Sequence, residues 1–148
     1  MICLAIPSKT IYAEAPQIKV SLKDVDKNKI QKIIEVADEK GIAREDLLGI
    51  SKHESDLCRI LIGDGGKSKG CFHINTAKDA NPEALPIIGN IRKEAEWVAD
   101  KLLSYGYPEK RTLAIAKYNA PSYPDLSNSP KSYVNLVKQK IEWVKNNI

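Results

Sequence analysis

A mainly α fold, in one compact domain, is what this sequence predicts. Three observations carry that reading. Apolar residues recur at helical spacing along most of the chain after Asp26, and capping or stop residues bracket those runs. The period breaks clearly around Gly63-Asp64-Gly65-Gly66, where a small loop or β-hairpin beside a cleft is expected. A length of 148 residues suits a single domain with a sizeable core.

Residues 1–22 read as a leader ahead of a domain at 23–148. They lack sustained periodicity and carry Pro7 and Pro16. Met1-Ile2-Cys3-Leu4-Ala5-Ile6 is a short apolar run, and Ile11-Tyr12-Ala13 before Glu14 has the small-residue form of a cleavage site. The segment reads as a signal-peptide remnant or as a disordered leader. A basic start and a longer apolar centre are missing.

The first helix is expected from Asp26, as N-cap, to Lys40, with Ile30, Ile33, Ile34 and Ala37 on its apolar stripe and Gly41 as its stop. A second opens at Arg44-Glu45-Asp46, whose carboxylates suit the helix dipole. On it Leu47, Ile50, Ser51 and Glu54 fall at i, i+3, i+4 and i+7, so a carboxylate ends an otherwise inward-facing stripe. Burial without a cation raises a carboxyl pKa, and a carboxyl that holds its proton near neutrality can serve as a general acid. Glu54 is therefore the candidate catalytic residue.

Residues 57–75 change character, and their apolar runs are too short to separate a hairpin from an irregular loop. Asn75 reads as the cap of a short helix ending before Asn81-Pro82. A long helix is expected from about Ala84 to Tyr105, with Ile87, Ile91, Ala95, Val98, Ala99 and Leu102 inward, stopped by Gly106 and Pro108. Another should span Lys110 to Tyr118, where Leu113, Ala114 and Ala116 permit close helix contact. Pro121, Pro124 and Pro130 mark a polar loop. A last amphipathic helix, Lys131 to Asn146, carries Val134, Val137, Ile141 and Val144 on one side.

Composition narrows the function classes. A net charge of +4 is spread along the chain without a basic block or an aromatic excess, which gives no basis for nucleic-acid binding. No run approaches the ~18 apolar residues of a membrane span, so stable membrane insertion is not expected. Gly66-Lys67-Ser68 lacks the glycine that a phosphate loop needs five places earlier, where Leu61 stands. Neither C-x-x-C nor H-E-x-x-H occurs, so a zinc or other metal site is not expected. Cys58 and Cys71 flank the glycine-rich stretch, either as two thiols or as a staple closing it in an oxidising compartment. His53 lies about 100° around the helix from Glu54 and need not share its cleft; His73 is the better candidate for touching substrate.

Four short segments occur in order: Glu54-Ser55, Ser68-Lys69-Gly70-Cys71-Phe72-His73-Ile74, Asn90-Ile91, and Ala114-Ile115-Ala116-Lys117-Tyr118-Asn119-Ala120. Together they resemble the lytic transglycosylases of the soluble, goose-type-lysozyme-like family. That family pairs Glu-Ser with a Gly-Leu-Met-Gln-Ile-like segment, an Asn-Ile helix start and an Ala-x-x-x-Tyr-Asn-Ala-Gly segment. The likeness covers about residues 35 to 144 and implies an α+β lysozyme-like fold.

By this resemblance Glu54 is the catalytic acid and base, and Ser55 positions the loop or the carboxylate. Tyr118 places its hydroxyl near Glu54, and Asn119 lines the cleft. Gly70 lets the backbone approach the sugar chain, while Phe72 and His73 shape the floor. His73 stands where the family has Gln, and Pro121 where it usually has Gly. The implied activity is cleavage of the MurNAc–GlcNAc β-1,4 bond of peptidoglycan with a 1,6-anhydro product and no cofactor. The implied location is periplasmic or extracellular, the implied partner is the glycan strand, and the setting is wall remodelling or a secretion, conjugation or phage apparatus. Two rival readings keep the fold: a hydrolytic lysozyme using Asp64 or Asp79 to activate water, and a non-catalytic wall-binding domain.

Overall fold

The structure, a computed structural model, describes residues 26–121 and 128–148. The leader at 1–22, Cys3 and Pro124 lie outside the described residues. The chain forms α1 (Lys27–Lys40), α2 (Arg44–Ser55), β1 (Ile62–Gly63), β2 (Ser68–Lys69), β3 (Ile74–Asn75), α3 (Ile91–Ser104), α4 (Arg111–Asn119) and α5 (Asn128–Asn147). Among the described residues the result is mainly helical with one small antiparallel sheet in the order β1-β2-β3. Ile62 pairs with Lys69 and Gly63 with Ser68; Ser68 then pairs with Asn75 and Lys69 with Ile74.

The first helix forms where its caps require. The Asp26 side chain accepts from the Asn28 and Lys29 amides at 2.9 and 3.4 Å, and Gly41 closes the other end at φ 69°. Its apolar stripe buries Ile30, Ile33, Ile34 and Ala37 against α2 and α3. α2 is the central helix, packed between α1 and α5. Leu47, Leu48, Ile50 and Ser51 are all buried on it. A Cβ at Gly49 would lie 2.4 Å from Ile141 Cγ1 and 3.2 Å from the Ile141 backbone, so a bare glycine allows α5 to cross this closely. Phe72, Val98, Leu102, Ile115 and Val137 complete one continuous core.

Three expectations need correction. The long helix from Ala84 to Tyr105 is divided: Pro82–Ile87 is a 3₁₀ segment, and α3 begins only at Ile91. Pro86 lacks an amide donor, Gly89 sits at φ 94°, and the Asn90 side chain caps the new helix by accepting from Lys93 N at 3.1 Å. Asn75 caps no helix. It ends β3, and its Oδ1 accepts from Ala77 N at 2.9 Å, a local turn that competes with helix formation. The last helix begins at Asn128 rather than Lys131, so Pro130 stands in its first turn, where a missing amide costs nothing.

Asp46 does more than face the helix dipole. It is fully buried, accepts from the Tyr107 hydroxyl at 2.7 Å, and is held by the Arg111 guanidinium, with Nε at 2.6 Å. The Tyr107 oxygen in turn accepts from the Ala43 amide at 3.0 Å. This network ties the start of α2 to the start of α4.

Candidate active site

Glu54 occupies the last turn of α2, with its side chain only 17% exposed. Its Oε1 accepts from the Tyr133 hydroxyl at 2.8 Å, and its Oε2 stands 4.0 Å from His73 Nδ1. Burial pushes the Glu54 carboxyl up to about 7, against the Tyr133 hydrogen bond, which favours the anion; the negative charge of Asp64 adds to the rise. The carboxyl opens on a cavity of about 330 Å³, within the size range of small-ligand sites. Asp64, His73, Tyr118 and Asn119 line the same cavity.

The backbone after Glu54 is wound the wrong way for L-residues. Asp56, Leu57 and Cys58 all adopt positive φ, at 53°, 56° and 68°, each a conformation that costs roughly 1–2 kcal/mol. Their surroundings hold the turn. The Cys58 amide donates to Ser55 Oγ at 2.8 Å, Ser55 Oγ donates to the Cys71 carbonyl at 2.6 Å, and a disulfide joins Cys58 to Cys71. Of the two open readings of these cysteines, the structure has the staple. Asp56 is flanked by Lys52 and Arg59. The end of α2 is thereby fastened to the loop that carries His73.

His73 itself has φ 44° and places Nε2 2.7 Å from the Ile60 carbonyl. In the neutral ring that geometry assigns the proton to Nε2 and turns the Nδ1 lone pair towards Glu54. The ring lies against Gly63, where a Cβ would meet it at 2.8 Å. His53 is elsewhere: its ring packs edge-on against Tyr133 with centroids 5.1 Å apart, and it does not line the cavity. Burial lowers its pKa, aided by the charge of Lys140 and His73.

The other expected site residues divide between the cleft and its support. Asn119 lines the cavity. Tyr118 lines it too, where burial and then the charge of nearby Glu54 raise its pKa, and its hydroxyl donates to the Phe72 carbonyl at 2.7 Å. Phe72 is fully buried in the core, so it supports the floor through its carbonyl and not through its ring. Ser55 is buried and positions the loop. Gly70 does not face the cleft. At φ 84° it meets Glu94, whose Oε1 would lie 1.8 Å from an added Cβ.

Two contributors escaped the sequence reading. Tyr133, on α5, is the direct partner of Glu54; the only available signal was an aromatic on the helix's apolar stripe. Glu94, fully buried on α3, accepts from the amides of Cys71 at 2.9 Å and Gly89 at 3.1 Å, and burial raises its pKa. Its place on the inner face, one residue before Ala95, was the available clue. Across the cleft, Trp97 and Lys101 of α3, at i and i+4, and Tyr105, the residue that caps that helix, form one wall.

Chemically, the arrangement offers one carboxyl able to donate a proton near neutral pH and to receive one back. Asp64 lies in the same cavity, held by the Ser68 hydroxyl at 2.6 Å; Asp79 does not line it. No family model, no curated protein and no solved structure matches this chain.

Proposed function

We propose that this protein is a peptidoglycan lytic transglycosylase of lysozyme-like architecture, with Glu54 as its acid and base. The observation that carries the reading is the carboxyl of Glu54: buried, held by Tyr133, raised to about 7, and open to a cleft that lies beside a small sheet. The ordered Glu-Ser, Gly-x-x-His-Ile, Asn-Ile and Tyr-Asn-Ala segments point the same way, since Glu54, His73, Tyr118 and Asn119 converge on that cleft.

In the proposed reaction Glu54 donates its proton to the bridging oxygen of the MurNAc–GlcNAc β-1,4 bond as that bond breaks through an oxocarbenium-like transition state. The resulting carboxylate takes the proton from the O6 hydroxyl of the same MurNAc, and O6 closes on C1. The products are a free GlcNAc O4 hydroxyl and a 1,6-anhydro-MurNAc end, and no water is consumed. Intramolecular attack by a held hydroxyl gains from its high effective molarity. A second carboxylate is not needed. Such an enzyme works outside the cytoplasm, where the Cys58–Cys71 disulfide is stable.

Asp64 favours a second reading, hydrolysis, because it shares the cavity and bears a carboxylate that can activate water. Mass spectrometry of glycan ends released from purified peptidoglycan separates the two. Anhydro ends are expected; reducing ends that have gained water assign the protein to the hydrolytic lysozymes. Glu54→Gln, nearly isosteric and unable to donate, should slow either reaction about 10²–10⁴-fold, and undiminished cleavage by that variant removes Glu54 from the chemistry.

A further inference from the structure

On the other side of the small sheet lies a second depression of about 250 Å³, lined by Leu61, Ile62, Ile88 and Ile91 and flanked by Lys29 and Lys69. The segment leading into β1 stands proud of it: Ile60, Leu61 and Ile62 are 57, 44 and 64% exposed. Ile62 is paired across the strand with Lys69, so an exposed aliphatic side chain and a cation sit side by side. Neither Lys29 nor Lys69 has an acidic partner among the described residues. The one carboxyl bordering the depression, Glu94, is turned inward onto the Cys71 and Gly89 amides. Among the described residues that line it, the surface is thus aliphatic at its centre and cationic at its rim, with its one carboxyl turned inward.

We infer that this patch docks the protein peripherally on an anionic lipid surface, with Ile60, Leu61 and Ile62 entering the headgroup region and Lys29 and Lys69 meeting lipid phosphates. The charge pattern selects that occupant. Protein interfaces draw their affinity from Trp, Tyr and Arg anchors in shaped pockets, and neither an aromatic side chain nor an arginine lines this one. A fluid bilayer needs no shaped pocket; it rewards projecting aliphatic area and nearby lysines. Ser68 and Asn75, paired on one face of the sheet, line the catalytic cleft, while Ile62 and Lys69, paired on the opposite face, line the patch. Docking therefore leaves the cleft free and holds it close to a membrane, with no helix inserted.

Co-sedimentation of the full chain with phosphatidylglycerol–phosphatidylcholine vesicles, compared with pure phosphatidylcholine vesicles, tests this. Partition onto the anionic vesicles is expected, weakening as salt is raised. Lys69→Ala should lower it about fivefold, and Ile62→Ser about tenfold. Equal binding to the two lipids, or partition unchanged in both variants, overturns the proposal. So does a dimer in solution that Ile62→Ser abolishes while vesicles stay unbound, because the patch then serves a second copy. Both positions are exposed, and if Ile62→Ser does not fold, Lys69→Ala decides alone. Glu54→Gln should bind vesicles as the parent does, so the result stands apart from the fate of the glycan-cleaving reading.

Discussion

The hydroxyl of Tyr133 donates to the carboxylate of Glu54 at 2.8 Å across 79 residues of chain, and it is the only hydrogen bond that carboxylate makes among the described residues. The bond favours the ionised form, while burial opposes it and prevails. Tyr133→Phe removes the opposing influence. The Glu54 pKa should rise further above its present value near 7, and the alkaline limb of glycan cleavage should move to higher pH. A pH–rate profile on purified peptidoglycan checks this; a limb that stays in place or moves down contradicts it.

Stability should report the same carboxyl. Its pKa is raised from 4.5 to about 7 on folding, so between those values the native state holds more protons than the unfolded chain. Stability therefore falls as pH rises through that window, by about 3 kcal/mol, and stays reduced above it. Glu54→Gln lacks this pH dependence. Urea unfolding should find the variant close to the parent at pH 4 and more stable by about 2–3 kcal/mol at pH 8. Activity should drop about 10²–10⁴-fold in the same protein.

Gly70→Ala should fail for a different reason. Its φ is 84°, and the new methyl carbon would sit 1.8 Å from Glu94 Oε1. Glu94 cannot simply withdraw, because it holds the Cys71 and Gly89 amides. A loss of about 3 kcal/mol or more is expected from strain and broken buried hydrogen bonds together. Chemical denaturation measures it, and a variant within 1 kcal/mol of the parent, roughly the ordinary effect of a point substitution, would show that the contact yields easily.

Asp46→Asn should cost about 1–2 kcal/mol, since it removes the charge that Arg111 pairs with and weakens the bond from Tyr107, while the partly exposed Arg111 stays solvated. The network lies at the opposite end of α2 from Glu54, so the pH profile of surviving activity should keep its shape. A changed alkaline limb would mean that the two ends of the helix are coupled.

Reduction of Cys58–Cys71 should lower both stability and activity. The disulfide spans a sequence separation of 13, which corresponds to about 3 kcal/mol in the chain-entropy account. It also holds a turn with three successive left-handed residues, Asp56 to Cys58, just past the end of the helix that carries Glu54. Cleavage assays with and without dithiothreitol, beside thermal melts, measure the two effects.

Much of this architecture was legible because its causes are local. Asp26 and Gly41 bracket α1 by their own side-chain chemistry and backbone freedom, and the spacing of Leu47, Ile50, Ser51 and Glu54 placed the carboxyl at the edge of the core. The break before α3 was written in Pro86, Gly89 and Asn90, but apolar periodicity across Ile87 and Ile91 outweighed those signals. What the reading missed was tertiary. Tyr133, Glu94 and Asp46 matter through partners 79, 23 and 65 residues away, and no window of sequence spacing contains such pairs. Gly70 and Phe72 were assigned to the cleft by resemblance; in three dimensions one makes room for a carboxyl and the other fills the core.

The meeting of Gly70 with Glu94 has an evolutionary corollary. Neither position can drift by itself: any side chain at 70 demands a shorter residue at 94, and a shorter residue at 94 strands the Cys71 and Gly89 amides without an acceptor. Descendants of this chain should thus change both sites as a pair or neither, and a glycine-to-larger exchange at 70 should be found beside the loss of the carboxyl at 94.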